Sequence, residues 1–130
     1  MRAALGLANR ALGRAWPNPA VGCVLVNDGR VVGRGWTQPG GRPHAETEAL
    51  SRAGHAARGA VAHVTLEPCT HHGRTPPCVD SLVDAGISRA VIAIPDPDPR
   101  VDGTGIDRLR DAGIEVTEGV CKAEASEIVA

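Results

Sequence analysis

Between His44 and Cys78 the chain sets out one imidazole, two thiols and one carboxylate, in His44-Ala45-Glu46 and then in Pro68-Cys69-Thr70-His71-His72-Gly73-Arg74-Thr75-Pro76-Pro77-Cys78. A catalytic zinc site needs that set: three protein ligands, an open fourth position for water, and a base beside it. To use His44, Cys69 and Cys78 together, the chain must bring the starts of two helices and the end of a strand to one point. Few arrangements of a short chain do this, and the remaining elements can be read against it.

Strand and helix signals alternate along the sequence. Leu5, Ala8 and Leu12 fall on one face of a first helix. Trp16-Pro17-Asn18-Pro19 is a rigid turn that fixes an asparagine between prolines. Val21 to Val26 is an apolar run read as a buried strand, Asn27-Asp28-Gly29 a hairpin signal, and Arg30 to Trp36 the returning strand. Pro43, Glu46 and Glu48 mark a helix start; Ala45, Ala49, Leu50 and Ala53 line one face, and Gly54 stops it. Ala62 to Leu66 is a strand ending at Glu67-Pro68-Cys69. Val79, Leu82 and Val83 are the buried face of a helix capped by Gly86. Ala90 to Ile94 is a strand, 95–99 an ordered loop, Ile106, Leu109 and Ala112 the core face of a third helix ending at Gly113, and Ile114 to Glu118 the last strand. Residues from Lys122 onward are expected to be a frayed tail or a truncated helix. The alternation from residue 62 on predicts parallel strands with helices on the sheet faces, and the hairpin adds an antiparallel pair. The expected fold is α/β: a three-layer α-β-α sandwich around a mixed five-stranded sheet, in one domain over residues 1–130.

Composition enters mainly by exclusion. A net charge of −1 and no run of membrane-spanning length argue against nucleic acid or a bilayer as partner. Arg2, Arg10 and Arg14 without an acid superficially suggest a transit peptide, but the helical face of Leu5, Ala8 and Leu12 is the stronger reading. Tyr and Phe are absent, so the core is expected to be aliphatic, built around Trp16 and Trp36. No secretion signal accompanies the four cysteines, so zinc explains Cys69 and Cys78 better than a disulfide, and the chain is expected in the cytoplasm. Cys23 reads as a core thiol and Cys121 as a surface one.

Taken singly, His44 could be a helix cap, Glu46 a first-turn acid, and Cys69 and Cys78 core thiols. Taken jointly, each at a strand–helix junction and with proline before each cysteine, they read as a site. His44 and the two cysteines are the expected zinc ligands. Glu46, two residues from a ligand, can stand beside a water without coordinating; it would take the water's proton and return it to a ring nitrogen and a departing amine. His71 or His72 is either a fourth ligand, which would close the site, or a donor to substrate. The open site leaves Glu46 a purpose. His55 is expected at a solvated helix end, and His63 in a strand, bonded to a backbone carbonyl.

Beyond its chemistry, the pattern resembles a known family. Pro17-Asn18-Pro19-Ala20-Val21-Gly22, His44-Ala45-Glu46 and Thr65-Leu66-Glu67-Pro68-Cys69 are similar to the cytidine-deaminase-like superfamily. The Cys69-x8-Cys78 spacing, Asp96 to Gly105, and Ala112 to Val116 resemble the deaminase domain of the riboflavin-biosynthesis deaminase/reductase. The resemblance implies zinc on His44, Cys69 and Cys78, Glu46 as proton shuttle, and a substrate shell of Asn18, His71, Arg74, Thr75 and Asp96. Arg74 and Thr75 could hold a ribose phosphate, since a guanidinium offers bidentate donors. The implied reaction removes the 2-amino group of 2,5-diamino-6-ribosylamino-4(3H)-pyrimidinone 5′-phosphate, a pyrimidine ribotide, by a homodimer. That family continues into an NADPH-dependent reductase domain, which this sequence does not include.

Two positions depart from the family pattern. Thr37 stands where a histidine is common, and Asp98 where Asp-Pro-Asn-Pro is usual; a second carboxylate facing the pocket would repel a phosphorylated ligand. These departures leave room for a different amino-heterocycle as substrate. A non-catalytic zinc-stabilised binding module is the alternative of another class.

Overall fold

The computed structural model describes residues 1–16, 18–70, 76–99 and 102–129, with residue 129 described by its backbone alone. Five strands, β1 (Gly22–Asn27), β2 (Arg30–Trp36), β3 (Val61–Leu66), β4 (Arg89–Ile94) and β5 (Glu115–Glu118), alternate with five helices, α1 (Arg2–Ala11), α2 (Ala45–Ala53), α3 (Cys78–Asp84), α4 (Thr104–Asp111) and α5 (Lys122–Val129). The strands form one sheet in the order β2-β1-β3-β4-β5. β1 runs antiparallel to both its neighbours, and β3, β4 and β5 are parallel. This is the mixed sheet with an initial hairpin that the alternation predicts.

Which helix covers which face follows from residues too small to hold it away. Gly22 on β1 meets the backbone of α1, whereas Gly33 and Gly35 on β2 meet that of α2. Gly35 pairs with Cys23, the neighbour of Gly22, so α1 and α2 lie on opposite faces. α5 packs beside α1, and α3 and α4 follow α2 on the other face. Because parallel strands place their carboxyl ends together, the turns after β3 and β4 open at one edge of the sheet. The start of α2 is brought to the same edge.

The close seat of α2 rests on glycine. A Cβ at Gly35 would run into the carbonyl oxygen of Ala45 and come within 2.7 Å of the Ala49 amide nitrogen. Gly35→Ala is therefore expected to destabilise the fold by at least about 1–3 kcal/mol, the usual range for overpacking. Urea unfolding would measure this, and an unchanged midpoint would contradict the seating.

The core is aliphatic, with Leu25, Val64, Val79, Leu82, Ile92, Ile106 and Leu109 among its largest enclosed side chains. Trp16 does not contribute: it is 85% exposed. Trp36 is half-buried on the α1 face, with the guanidiniums of Arg10 and Arg52 over its ring at 5.1 and 5.5 Å. Leu12 lies past the end of α1, where the chain has already turned extended, and is exposed; Ala4, Leu7 and Ala11 join Leu5 and Ala8 on the buried face instead. Ala112 likewise sits after the last turn of α4 and is exposed. The C-terminal residues form a full helix, α5, anchored by fully buried Ala125. Cys121 is half-buried against the core with a left-handed backbone (φ 58°), not a surface thiol. Cys23 is the core thiol expected, and His55 is exposed at the end of α2. His63 departs from expectation, since its buried Nδ1 has no hydrogen-bond partner. Burial, the N-terminal amine and Arg89 hold its pKa below the usual histidine value.

Candidate active site and metal centre

Three chain segments converge at the carboxyl edge of the parallel strands. His44 is the N-cap residue of α2 in extended conformation, and its carbonyl accepts the Glu48 N–H at 3.1 Å. Glu46 is the second residue of that helix and is buried, 4% exposed. Cys69 lies three residues beyond β3, and Cys78 opens α3. The first N–H groups of a helix have no partner within it. Here Cys69 supplies them: its Sγ accepts the Cys78 N–H at 3.2 Å and its carbonyl the Val79 N–H at 3.2 Å. The two cysteines are thus joined by the chain's own hydrogen bonds.

The ligand atoms of His44, Cys69 and Cys78 all lie within 4.8 Å of one another. His44 Nδ1 is 3.3 Å from Cys78 Sγ and 3.9 Å from Cys69 Sγ. Ligands on a tetrahedral zinc, with bonds of about 2.0–2.3 Å, sit about 3.5–3.8 Å apart. The group therefore fits zinc in donor type and in spacing. Its electrostatics point the same way. The hydrogen bond from Cys78, with those from His44 and the Cys78 backbone N–H, holds the Cys69 thiol down at about 4 despite burial. Cys78 is pushed up instead, first by its hydrogen bond to Cys69 and then by burial and the charge of Glu46. The hydrogen bond to Cys69 also raises the pKa of His44. Side by side, one sulfur ionises at the expense of the other, and a divalent cation between them removes that conflict.

Glu46 completes the arrangement. Burial pushes its carboxyl up to about 7, with the Cys69 charge adding to the rise and a hydrogen bond from Cys78 opposing it. A carboxyl titrating near neutrality can both accept and return a proton.

These residues open onto a pocket lined by Asn18, Val21, Thr37, His44, Glu46, Glu67, Cys69 and Asp96. Asn18 is fixed by its side-chain N–H to the Gly41 carbonyl at 2.8 Å. Thr37 is a buried strut rather than a free ligand group. Its hydroxyl accepts the Val21 N–H at 3.0 Å and donates to the Pro19 carbonyl at 3.1 Å, which holds the chain on either side of the pocket wall. Thr37→Val is expected to cost about 1–3 kcal/mol, because it strands a buried N–H. A thermal melt of folded variant and parent would register this as a lower midpoint.

Asp96 lies on the pocket wall, whereas Asp98 does not line it. Instead, the Asp98 N–H donates to Asp96 Oδ1 at 2.9 Å. The feared pair of carboxylates facing the ligand is not what this loop presents.

Residues 1–94 match the family model described as the cytidine and deoxycytidylate deaminase zinc-binding region. The chain belongs to this family. As a zinc-binding deaminase domain, it is 52% identical over 128 residues to the riboflavin biosynthesis protein RibD of Aquifex aeolicus, covering 98% of this chain and 36% of that protein. Among solved structures, the RibD of Acinetobacter baumannii superposes with a TM-score of 0.94 at 50% identity, over 98% of this chain and 36% of that one. The Rib2 deaminase of Aspergillus oryzae follows at a TM-score of 0.75 and 26% identity, over 98% of this chain and 87% of that one. The chain spans about a third of the length of the curated relatives it matches.

Of the expected site residues, His44, Glu46, Cys69, Asn18 and Asp96 share the pocket lining, with Cys78 directly behind His44 and Cys69. His71, Arg74 and Thr75, and His72 with them, lie outside the described residues. Glu67 was not singled out from the deaminase sequence, yet it is buried beside the pocket and accepts four backbone N–H bonds. An acid between a strand end and Pro68 was the available signal, and nothing in local sequence says how many donors will meet it. No helix among the described residues is long and apolar enough to cross a membrane.

Proposed function

We propose that this chain hydrolytically deaminates 2,5-diamino-6-ribosylamino-4(3H)-pyrimidinone 5′-phosphate in riboflavin biosynthesis, yielding the 5-aminouracil ribotide and ammonia. The observation that carries the proposal is the buried Glu46 carboxyl, set among a zinc-competent His–Cys–Cys group at the wall of a pocket. The similarity to riboflavin biosynthesis proteins supplies the substrate class.

In this reading His44, Cys69 and Cys78 hold the zinc. When bound, zinc supplies Lewis-acid chemistry that brings the pKa of a water near neutrality. Glu46 takes one proton of the attacking water to the ring nitrogen, then moves the second, from the hydroxyl now on C2, to the exocyclic amine. Oxygen has then bonded to C2, the C2–N bond has broken, and ammonia has left. Asn18 and Asp96 orient the heterocycle from the two sides of the pocket. His71, Arg74 and Thr75 are assigned to the ribose phosphate side on sequence alone. The domain acts as a cytoplasmic homodimer and hands its product to an NADPH-dependent reductase.

The test is ammonia release from freshly made ribotide by zinc-loaded protein, with cytidine and deoxycytidylate in parallel. Release from the ribotide alone is the expected result. Release from another amino-heterocycle in preference, by folded zinc-bound protein, would overturn the substrate assignment.

A further inference from the structure

Four polar or charged side chains are buried among the described residues: Thr37, Thr65, Glu46 and Glu67. Thr37 and Thr65 hold the backbone of the Val21–Gly22 segment, Thr65 Oγ1 accepting the Gly22 N–H at 3.1 Å. Glu46 has the proton. Glu67 has no part in that chemistry, yet it carries the largest share of backbone.

One carboxylate oxygen of Glu67 accepts the N–H groups of Asp96 at 2.9 Å and Gly103 at 3.0 Å. The other accepts those of Gly105 at 2.7 Å and Ile106 at 3.0 Å. The first two donors lie near the two ends of the β4–α4 connection. The second two belong to the first turn of α4, whose N-cap residue, Gly103, has no side chain to cap it. The connection and the helix are therefore hung from a single side chain, two residues before Cys69. α4 is pressed against the same turn, because a Cβ at Gly105 would strike the Pro68 carbonyl oxygen and lie 3.0 Å from Glu67 Cγ. Arg108 of α4 reaches the Thr70 carbonyl at 3.1 Å on the far side of Cys69.

We propose that Glu67 is a positioning residue for substrate binding: by holding both ends of the β4–α4 connection it fixes Asp96 on the wall of the pocket that Glu46 also lines. This rests on the deaminase reading above. A carboxylate suits the task because its four partners among the described residues are all donors and both of its oxygens can only accept. A glutamine would keep the shape but offer one acceptor oxygen, turning an amide NH2 toward two N–H groups. The loop would then relax away from the strand end, carrying Asp96 with it. The Cys69 turn, braced separately by the backbone N–H groups of Cys78 and Val79, would stay.

In the full chain loaded with zinc, Glu67→Gln is expected to raise KM for the ribotide about tenfold, the equivalent of one lost bond of about 1.4 kcal/mol. kcat and zinc content should remain close to the parent's. Amide hydrogen exchange should quicken at Asp96, Gly103, Gly105 and Ile106 and not at Cys78. Glu67→Asp, which keeps the charge but is one methylene short of spanning both ends, gives a second reading in the same direction if the glutamine variant folds poorly. Unchanged KM, or a fall in kcat together with zinc loss, would overturn the proposal, as would exchange that fails to quicken at the four amides. A parent protein that releases no ammonia from the ribotide would instead sink the substrate assignment, and the exchange pattern would still decide whether Glu67 holds the loop.

Discussion

Replacing Glu46 with glutamine is expected to lower ammonia release by at least about 10²–10⁴-fold, the range that a positioned general acid–base contributes, while zinc content stays at the parent's level. The substitution keeps the volume of a side chain that is 4% exposed, so packing is preserved and the effect reads chemistry. The amide cannot accept the proton of an attacking water or return one to the leaving amine. Metal retention should survive because Glu46 does not belong to the His44–Cys69–Cys78 group. Stability should hold or rise slightly, since a carboxyl pushed up to about 7 by burial is one whose charged form the fold disfavours. Metal analysis, a thermal melt and an ammonia assay on the same sample separate these effects. Substantial turnover by a zinc-loaded Glu46→Gln protein would remove Glu46 from the mechanism. Loss of zinc would make it a ligand and close the site.

The fold was legible where period and punctuation agree. Asn27-Asp28-Gly29 turns the β1–β2 hairpin, Gly54 ends α2, and the apolar runs at Val61–Leu66 and Arg89–Ile94 become adjacent parallel strands. Sequence pattern failed at residues whose fate depends on remote parts of the chain. Leu12 continues the apolar stripe of α1 on paper, yet the helix ends at Ala11 and the side chain is left in solvent. Trp16 is the right kind of residue for a core, but it falls in the turn after α1, beyond the helix's packed face, and is left in solvent. Lys122–Val129 is polar enough to resemble a tail, and what makes it a helix is its packing through Ala125 and Ile128 onto the core beside β4 and α1.

The candidate site divides in the same way. The grouping of His44, Cys69, Cys78 and Glu46 was readable because the zinc ligands and proton shuttle proposed for them would need particular residue types at helix starts and strand ends. Its supports were not. Thr37 looked like a lost substrate contact and is a strut; Glu67 looked like an ordinary acid before Pro68 and gathers four amides from residues 96–106. Positions that carry chemistry are constrained by what they are, and positions that carry geometry by what the fold later sets against them.

Cys78→Ser should separate those two kinds of constraint. The hydroxyl is smaller than the thiol, ionises far less readily and binds zinc poorly, so zinc occupancy is expected to fall and deamination with it. A ligand that binds only the folded state stabilises by RT ln(1 + [L]/Kd), about 4 kcal/mol at a free concentration a thousand times Kd. The parent protein should thus melt higher with added zinc and lower with a chelator, and the variant should respond to neither. The fold itself should persist in the variant, because Cys69 accepts the backbone N–H of residue 78 whatever its side chain. A far-ultraviolet spectrum close to the parent's, with the zinc-dependent rise in melting temperature gone, is the expected result. A fully metallated Cys78→Ser protein would show that another residue completes the ligand set, and His71 or His72, a few positions before it, would be the first to substitute.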